Sequence, residues 1–261
     1  MSLCQTFKIL SFKTWTLLQA ARFANHQINE ETITDLLMVY LKFNNSYEIF
    51  TRTFTRTEEK QNGSDWEWWL IDSTGKKGLG FRVQAKIINF KSDSFQQLYY
   101  KNQNNVLIYQ AENSPKKLIP IYCLYSHHDI HLTSEYGCSI MSAYTVKNLK
   151  KAKTRLSKIK DIRPHMFPWH FLVCICNLNS IKTSLPLRAW KLSQQYGLVE
   201  NLDNETNGEL PNNGDLPNNG DLPDYVLRLI NNQYEDNESV KEIEFDGLRG
   251  IMIIKDNEEF D

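Results

Sequence analysis

No apolar run in this chain approaches the roughly 20 residues that a membrane-spanning helix needs, so a helical membrane protein is not among the readings. The opening residues, MSLCQTFKILSFKTW, lack the long apolar stretch and small-residue cleavage site of a secretory leader. Cysteine is scarce: Cys4, Cys123, Cys138, Cys174 and Cys176 are odd in number and form no framework. That usage predicts free thiols in a reducing compartment, and hence a cytoplasmic protein. A P-loop, a dinucleotide-binding glycine fingerprint and a G-x-S-x-G elbow are all missing.

What is there suits a globular domain. Hydrophobic residues make up 41% and charged residues 23% of 261 positions, ordinary values for a chain that buries a core. The net charge of -1 conceals a polarity. Residues 201–261 carry 16 Asp/Glu against 4 Lys/Arg, whereas residues 1–200 carry 15 against 26. A basic body of that kind predicts a polyanionic partner, because lysine and arginine neutralise phosphates. The acidic C-terminal segment solubilises the chain or screens the basic face.

Residues 12–25 predict a helix without breakers. A second helix follows Asn29 as its cap, with Ile33, Leu36, Leu37, Tyr40 and Leu41 at helical spacing. Strands are predicted at 47–55, 65–71 and 79–88, the last two joined by the glycine-containing turn STGKKG. A helix at 93–111, a buried strand at 118–125, a basic helix at 144–160 and a second buried strand at 170–176 complete an α/β order. The hexapeptides GELPNN, GDLPNN and GDLPDY predict a flexible repeat loop at about 201–224. A short helix (DYVLRLINN) and a strand (248–254) return after it. The whole reads as one domain, residues 1–261.

The hairpin carries the chemistry. With the turn centred on Gly75–Lys76, Asp65 is expected to face Lys86 and Glu67 to face Gln84. All four polar groups then share one face of the sheet, and Trp66, Trp68, Val83 and Ala85 take the other. Two carboxylates, an amide oxygen and an ammonium can hold a hard divalent cation beside a phosphate. A salt bridge between Lys86 and Asp65, with Glu67 solvated, is the alternative.

Asp65 on one strand and Gln84-Ala85-Lys86 on the next, after a helix bearing Glu30 and Glu31, resemble the PD-(D/E)xK nuclease superfamily. The strings NEETITDLL, NGSDWEWWL, FRVQAK, IPIYCLY and MFPWHFLVC resemble, more narrowly, an uncharacterised bacterial domain family. Its members carry an E-x-x-x-T helix start and a G-x-D-W-E-W-W strand. The resemblance implies a restriction-endonuclease-like core, a central mixed β-sheet flanked by helices. It also implies a Mg²⁺- or Mn²⁺-dependent nuclease acting on nucleic acid, DNA ahead of RNA, in defence against foreign DNA. On this reading Asp65 and the Gln84 side-chain oxygen bind the metal, with the Ala85 carbonyl available beside them. Lys86 positions the attacking water and stabilises the developing charge. Gln84 stands where the superfamily usually has a carboxylate, so Glu67 is the candidate that compensates. Glu30, on the stripe of Ile33 and Leu37, is favoured over Glu31 for the helix carboxylate, although it could instead only cap the helix. The alternative is a catalytically silent nucleic-acid- or partner-binding domain. A homodimer or protein partner is compatible with either.

Other clusters weigh less. His127, His128 and His131 are expected on a surface loop, with zinc a minor reading. Cys174 and Cys176 read as small apolar fillers, and Pro168-Trp169-His170 as packing. The stretch TVKNLKKAKTRLSKIK gathers Lys150, Lys151, Lys153, Arg155 and Lys158 as a candidate phosphate-binding surface.

Overall fold

A serine two residues from the start begins the first helix. The Ser2 hydroxyl accepts from the Gln5 amide and the Gln5 side chain accepts in return from the Ser2 amide, a reciprocal capping box. The helix, α1 (Leu3–Phe23), buries Leu3, Phe7, Leu10, Thr14 and Leu18 along one stripe. It begins earlier than its apolar periodicity suggests because this cap sits upstream of it. In the computed structural model, residues 1–53, 66–151, 156–174, 183–199, 216–231 and 248–257 are described.

Helix α2 (Glu30–Asn44) follows, capped by Asn29 without a side-chain hydrogen bond. Then come β1 (Ile49–Thr53), β2 (Trp66–Ile71), β3 (Gly78–Ile87), α3 (Gln103–Glu112), β4 (Ile119–Tyr125) and β5 (Cys138–Ser142). The chain continues through α4 (Ala143–Lys151), α5 (Ile159–Ile162), β6 (Phe167–Pro168), α6 (Leu185–Gln195), α7 (Asp224–Asn231) and β7 (Gly250–Lys255). The fold is α/β: a seven-stranded mixed sheet in the order β1-β7-β2-β3-β4-β5-β6, flanked by helices. No described helix is long and apolar enough to cross a membrane.

Strand alternation divides the core. Trp66, Trp68, Phe81, Val83 and Ala85 pack with residues of α1, α2 and α6. On the opposite face, Tyr122 and Leu124 pack with α3, α4 and α5, while Trp69, Ile71, Ile251 and Ile253 pack with Ala111 of α3 and Val226 of α7. Strand β7 lies between β1 and β2, parallel to β2. Its first residue must be glycine: a Cβ on Gly250 would lie 2.5 Å from the Arg52 carbonyl oxygen and 2.6 Å from the Trp66 ring.

The structure departs from the sequence reading in specific places. The segment expected as a strand at 170–176 is instead a 3₁₀ turn, Trp169–Leu172, after the two-residue β6, with residues 175–182 outside the described set. Trp169 sets that turn by donating its indole N–H to the Phe7 carbonyl of α1 at 2.9 Å. Of the single basic helix expected at 144–160, Ala143–Lys151 is helical and residues 152–155 lie outside the described set, whereas Ser157–Ile159 pair with residues 93–95. Of the repeat loop, residues 200–215 lie outside the described residues. From Leu216 onward it is held in place: Leu216 packs on the core and Lys77 binds the Asn219 carbonyl at 2.7 Å and Asp221 at 2.8 Å.

The largest correction concerns cysteine. Cys4 and Cys174 are joined by a disulfide, with Cα atoms 4.8 Å apart and 170 residues between them in sequence, so neither is a free thiol and Cys174 is no mere apolar filler. Cys123 and Cys138 are buried thiols outside any disulfide. The bond ties the start of α1 to the chain just after the Trp169 turn. A cross-link closing so long a loop stabilises by about 2–4 kcal/mol. Dithiothreitol should therefore lower the chemical-denaturation midpoint of the wild type, and Cys4→Ser should start at the lower midpoint and no longer respond to it.

Candidate functional site

The β2–β3 hairpin sets the site, and its turn sets the hairpin. Asp72 donates its amide to the Lys77 carbonyl at 2.9 Å, Gly75 donates to the Asp72 carbonyl at 3.0 Å, and Gly75 has φ +70°. The Asp72 carboxylate accepts from the Lys76 and Lys77 amides and from the Thr74 hydroxyl. This aspartate-anchored turn is centred on Thr74–Gly75, one residue earlier than expected. Each pairing therefore shifts by two: Trp66 opposes Val83 and Glu67 opposes Arg82. A two-residue shift preserves faces, so the tryptophans stay on the side of Val83 and Ala85. Partners change.

Glu67 is the residue most affected. It faces Arg82, not Gln84, and the pair is an ion pair at 2.8 Å. Its carboxylate also accepts from the Trp69 indole at 2.6 Å and from the Tyr225 hydroxyl of α7. Burial, with the Glu67 charge second, drives the Tyr225 hydroxyl far above the usual phenol range, so it stays a donor. Three donors leave Glu67 occupied as the anchor of α7 against the sheet. As the oxygen that compensates for Gln84 it is misplaced, which corrects the expectation.

Farther along β3 one polar atom is left unsatisfied. The Gln84 amide oxygen is buried without a hydrogen-bond partner, at 2% residue exposure. The Lys86 side chain, 5% exposed, places its ammonium 3.8 Å from Glu30 Oε1, beyond a good hydrogen bond. Glu30 comes from the first turn of α2, while Glu31 beside it is exposed. A relay holds that turn: Thr34 donates to the Glu30 carbonyl at 3.1 Å, and the Tyr125 hydroxyl of β4 lies 3.0 Å from the Thr34 oxygen. With the threonine proton committed, Tyr125 is the donor. Burial keeps its phenol well above the usual range.

Glu30 lines a cleft of about 260 Å³ at the C-terminal end of β3, walled also by Gln27, Asn29, Asn89, Gln96 and Gln97. Gln27 stitches the α1–α2 connection to that strand end, donating to the Ile88 carbonyl at 3.1 Å. The crevice beyond the C-terminal ends of parallel strands is the usual ligand position in open α/β sheets, and β3 and β4 are parallel.

Asn104 was not among the expected site residues. It is 2% exposed on α3, with both its amide nitrogen and oxygen unpartnered. Ala111 of the same helix packs with Trp69 and Leu118, which border Gly80. Stepping back seven helical residues covers about 10 Å, as three strand residues do. From Gly80 that distance reaches Val83, one residue short of Gln84. A polar residue at an inward helical position was the only available signal.

Asp65 lies outside the described residues, one peptide bond before Trp66. Lys153 and Arg155 also lie outside them, and of Lys151 only the place at the end of α4 is described. Lys150 is half-buried on α4. Lys158 bridges Ser94, and the neighbouring Phe95 amide donates to the Ser157 carbonyl at 2.9 Å. That bridge carries the end of the basic stretch to the segment that runs into Gln96 and Gln97 at the cleft.

The histidines do not converge. His127, expected at the surface, is buried with its ring 4.5 Å from that of Trp15, and burial lowers its pKa. His128 instead accepts from the Ile130 and His131 amides and stacks on His131. Among the described residues no group of three His, Cys, Asp or Glu side chains is placed to hold a metal ion.

His170 is buried with Nδ1 unpartnered, and burial, aided by the Lys8 charge, lowers its pKa to about 4. The unfolded chain then binds more protons than the native state between pH 6.5 and 4. The neutral histidine's contribution is complete above about 6.5 and is lost as pH falls through 4. His170→Gln should flatten the decline of stability across that window by up to about 3 kcal/mol, measured by denaturant titration at stepped pH.

No curated protein and no solved structure matches the chain. A family model matches residues 3–259. The protein that folds a tryptophan-backed hairpin around this half-satisfied polar column belongs to DUF6615, a family of unknown function.

Proposed function

We propose that the protein is a metal-dependent phosphodiesterase of PD-(D/E)xK type, cleaving nucleic acid, with DNA put ahead of RNA, in defence against foreign DNA. The observation that carries this reading is the buried Lys86 ammonium 3.8 Å from Glu30, with the orphan Gln84 oxygen two residues away on the same strand; Glu30 lines the cleft, and Lys86 and Gln84 lie buried behind it. Desolvated polar groups without partners are costly and concentrate at sites of function.

The donor set fits a hard cation in type. The Glu30 carboxylate and the Gln84 amide oxygen are oxygen ligands of the kind that Mg²⁺ or Mn²⁺ takes, and Asp65 is the carboxylate the resemblance adds. When bound, the cation supplies Lewis-acid polarisation of the phosphate and lowers the pKa of a bound water. Lys86 orients the attacking water and balances the negative charge that grows on the phosphate oxygens. Glu30 holds that lysine and accepts a proton from the water. Lys150, Lys151, Lys153, Arg155 and Lys158 supply phosphate contacts that set the strand's path rather than its sequence. The excess of Lys/Arg in residues 1–200 supports a polyanionic substrate.

One observation favours a second reading, a nucleic-acid-binding domain without catalysis: the neutral Gln84 stands where a carboxylate would strengthen metal binding. A cytoplasmic setting belongs to the nuclease reading, and the Cys4–Cys174 bond weighs against it.

The assay is cleavage of supercoiled plasmid and of single-stranded DNA and RNA with Mg²⁺ or Mn²⁺. Lys86→Ala and Asp65→Ala should each reduce cleavage by about 10²-fold or more while binding persists. Gln84→Glu should lower the metal concentration needed for half-maximal rate. Tight binding without cleavage under either metal establishes the second reading.

A further inference from the structure

Helices α1 and α2 expose apolar side chains where a monomer should be polar. Along α2, Leu36, Val39, Tyr40 and Phe43 recur at i, i+3, i+4 and i+7, so they form one stripe. Phe43 is 82% and Val39 66% exposed. Ile9 and Phe12 of α1 extend the stripe, Phe12 at 57% exposure. Lys13, next to Phe12, lies over the Tyr40 ring at 4.5 Å, which brings the two helices' exposed residues side by side. This face is distinct from the buried stripe of Ile33, Leu37, Met38 and Leu41.

We infer that this face is a self-association surface, on which a second copy of the chain packs about a two-fold axis with its α2 antiparallel. Two observations select that occupant. The exposed apolar area of the stripe is on the order of 700 Å², above the largest patch of a typical monomer and close to what each partner of a standard interface contributes. The charges are also self-complementary. Centred on Val39 and Tyr40, an antiparallel pairing sets Leu36 against Phe43 of the second copy. On the flank, Asp35 then comes near Lys42 of that copy. Asp35 is 60% exposed at its side chain even while paired with Arg249 at 2.7 Å. In antiparallel pairing the same flank meets itself, so one acidic and one basic residue on it suffice for mutual attraction. The cleft lined by Glu30 lies at the N-terminal end of α2, away from the stripe's centre, so both sites are usable at once.

Sedimentation velocity of the full chain over a concentration series tests the inference. The wild type should show a reversible dimer. Phe43→Glu should raise the dimer dissociation constant at least tenfold, with an unchanged melting temperature at concentrations low enough that the wild type is monomeric, because Phe43 packs in no core. Val39→Cys, beside the axis, should give a covalent dimer under mild oxidation. A wild type that stays monomeric at about 100 µM, well above ordinary affinities for an interface of this size, overturns the inference. So does a dimer that Phe43→Glu leaves intact, or one that Val39→Cys fails to cross-link. Binding of the monomer to phosphatidylcholine vesicles, lost in Phe43→Glu, would assign the stripe to a membrane surface and overturn it equally.

Discussion

A lysine ammonium removed from water must be offset by charge or hydrogen bonds, and Lys86 is nearly wholly buried. The closest described carboxylate, that of Glu30, stands 3.8 Å away. That separation gives Coulomb attraction without a tight hydrogen bond. It also constrains the fold, since α2 has to begin at the end of β3 for the two charges to meet. The Tyr125–Thr34–Glu30 relay and the Gln27 stitch hold the helix start there. The cleft is the space left where that helix start and the strand end come together.

Arg82, Gln84 and Lys86 form a polar column along β3, flanked by apolar clusters on β2 and β4. Its satisfaction is uneven. At Arg82 the charge is matched by Glu67, which is further tied by Trp69 and Tyr225. At Gln84 and Asn104 buried polar atoms have no partners, each at a cost of about 1–3 kcal/mol. The Arg82 end is the better tied, although Arg82 Nε is itself buried without a partner, and the two ends suit different tasks. The Glu67 end rigidifies α7 on the sheet, and the Gln84 end retains hydrogen-bonding capacity that a ligand or water can use.

Much of the architecture was legible because its signals are local. The α2 helix, the hairpin and the apolar β4 are each written in fewer than 20 residues, and their faces followed from periodicity except on α2, where Leu36 and Tyr40 of the expected stripe are exposed. What was missed is non-local or hidden in a turn. Cys4 and Cys174 are too far apart in sequence for spacing to reveal their bond. Strand β7 inserts between β1 and β2, although nothing in GIMIIK says which neighbours it takes. Strand β5, CSIMS, carries too little hydrophobicity to announce that it is buried along its whole length. The hairpin's register turned on Asp72, whose carboxylate fixes the turn one residue earlier than glycine placement alone suggests. The polar face of Gln84 and Lys86 was legible despite that error, because a shift of two preserves parity. The partner of Glu67 was not.

The identity of residue 84 follows from the same electrostatics. With Lys86 and Glu30 as the described charges at this end, the site is close to neutral, and an amide adds a dipole without adding charge. A carboxylate at position 84 would instead sit buried one strand step from Lys86. There it would compete with Glu30 for the ammonium, so a charged ligand at position 84 would come at the cost of the Lys86–Glu30 pair. Glutamine leaves Lys86 to Glu30 and keeps an oxygen free. On the metal-dependent reading proposed above, a further carboxylate would be needed beside Glu30, and Asp65 stands in the sequence one residue before the strand that opposes Val83.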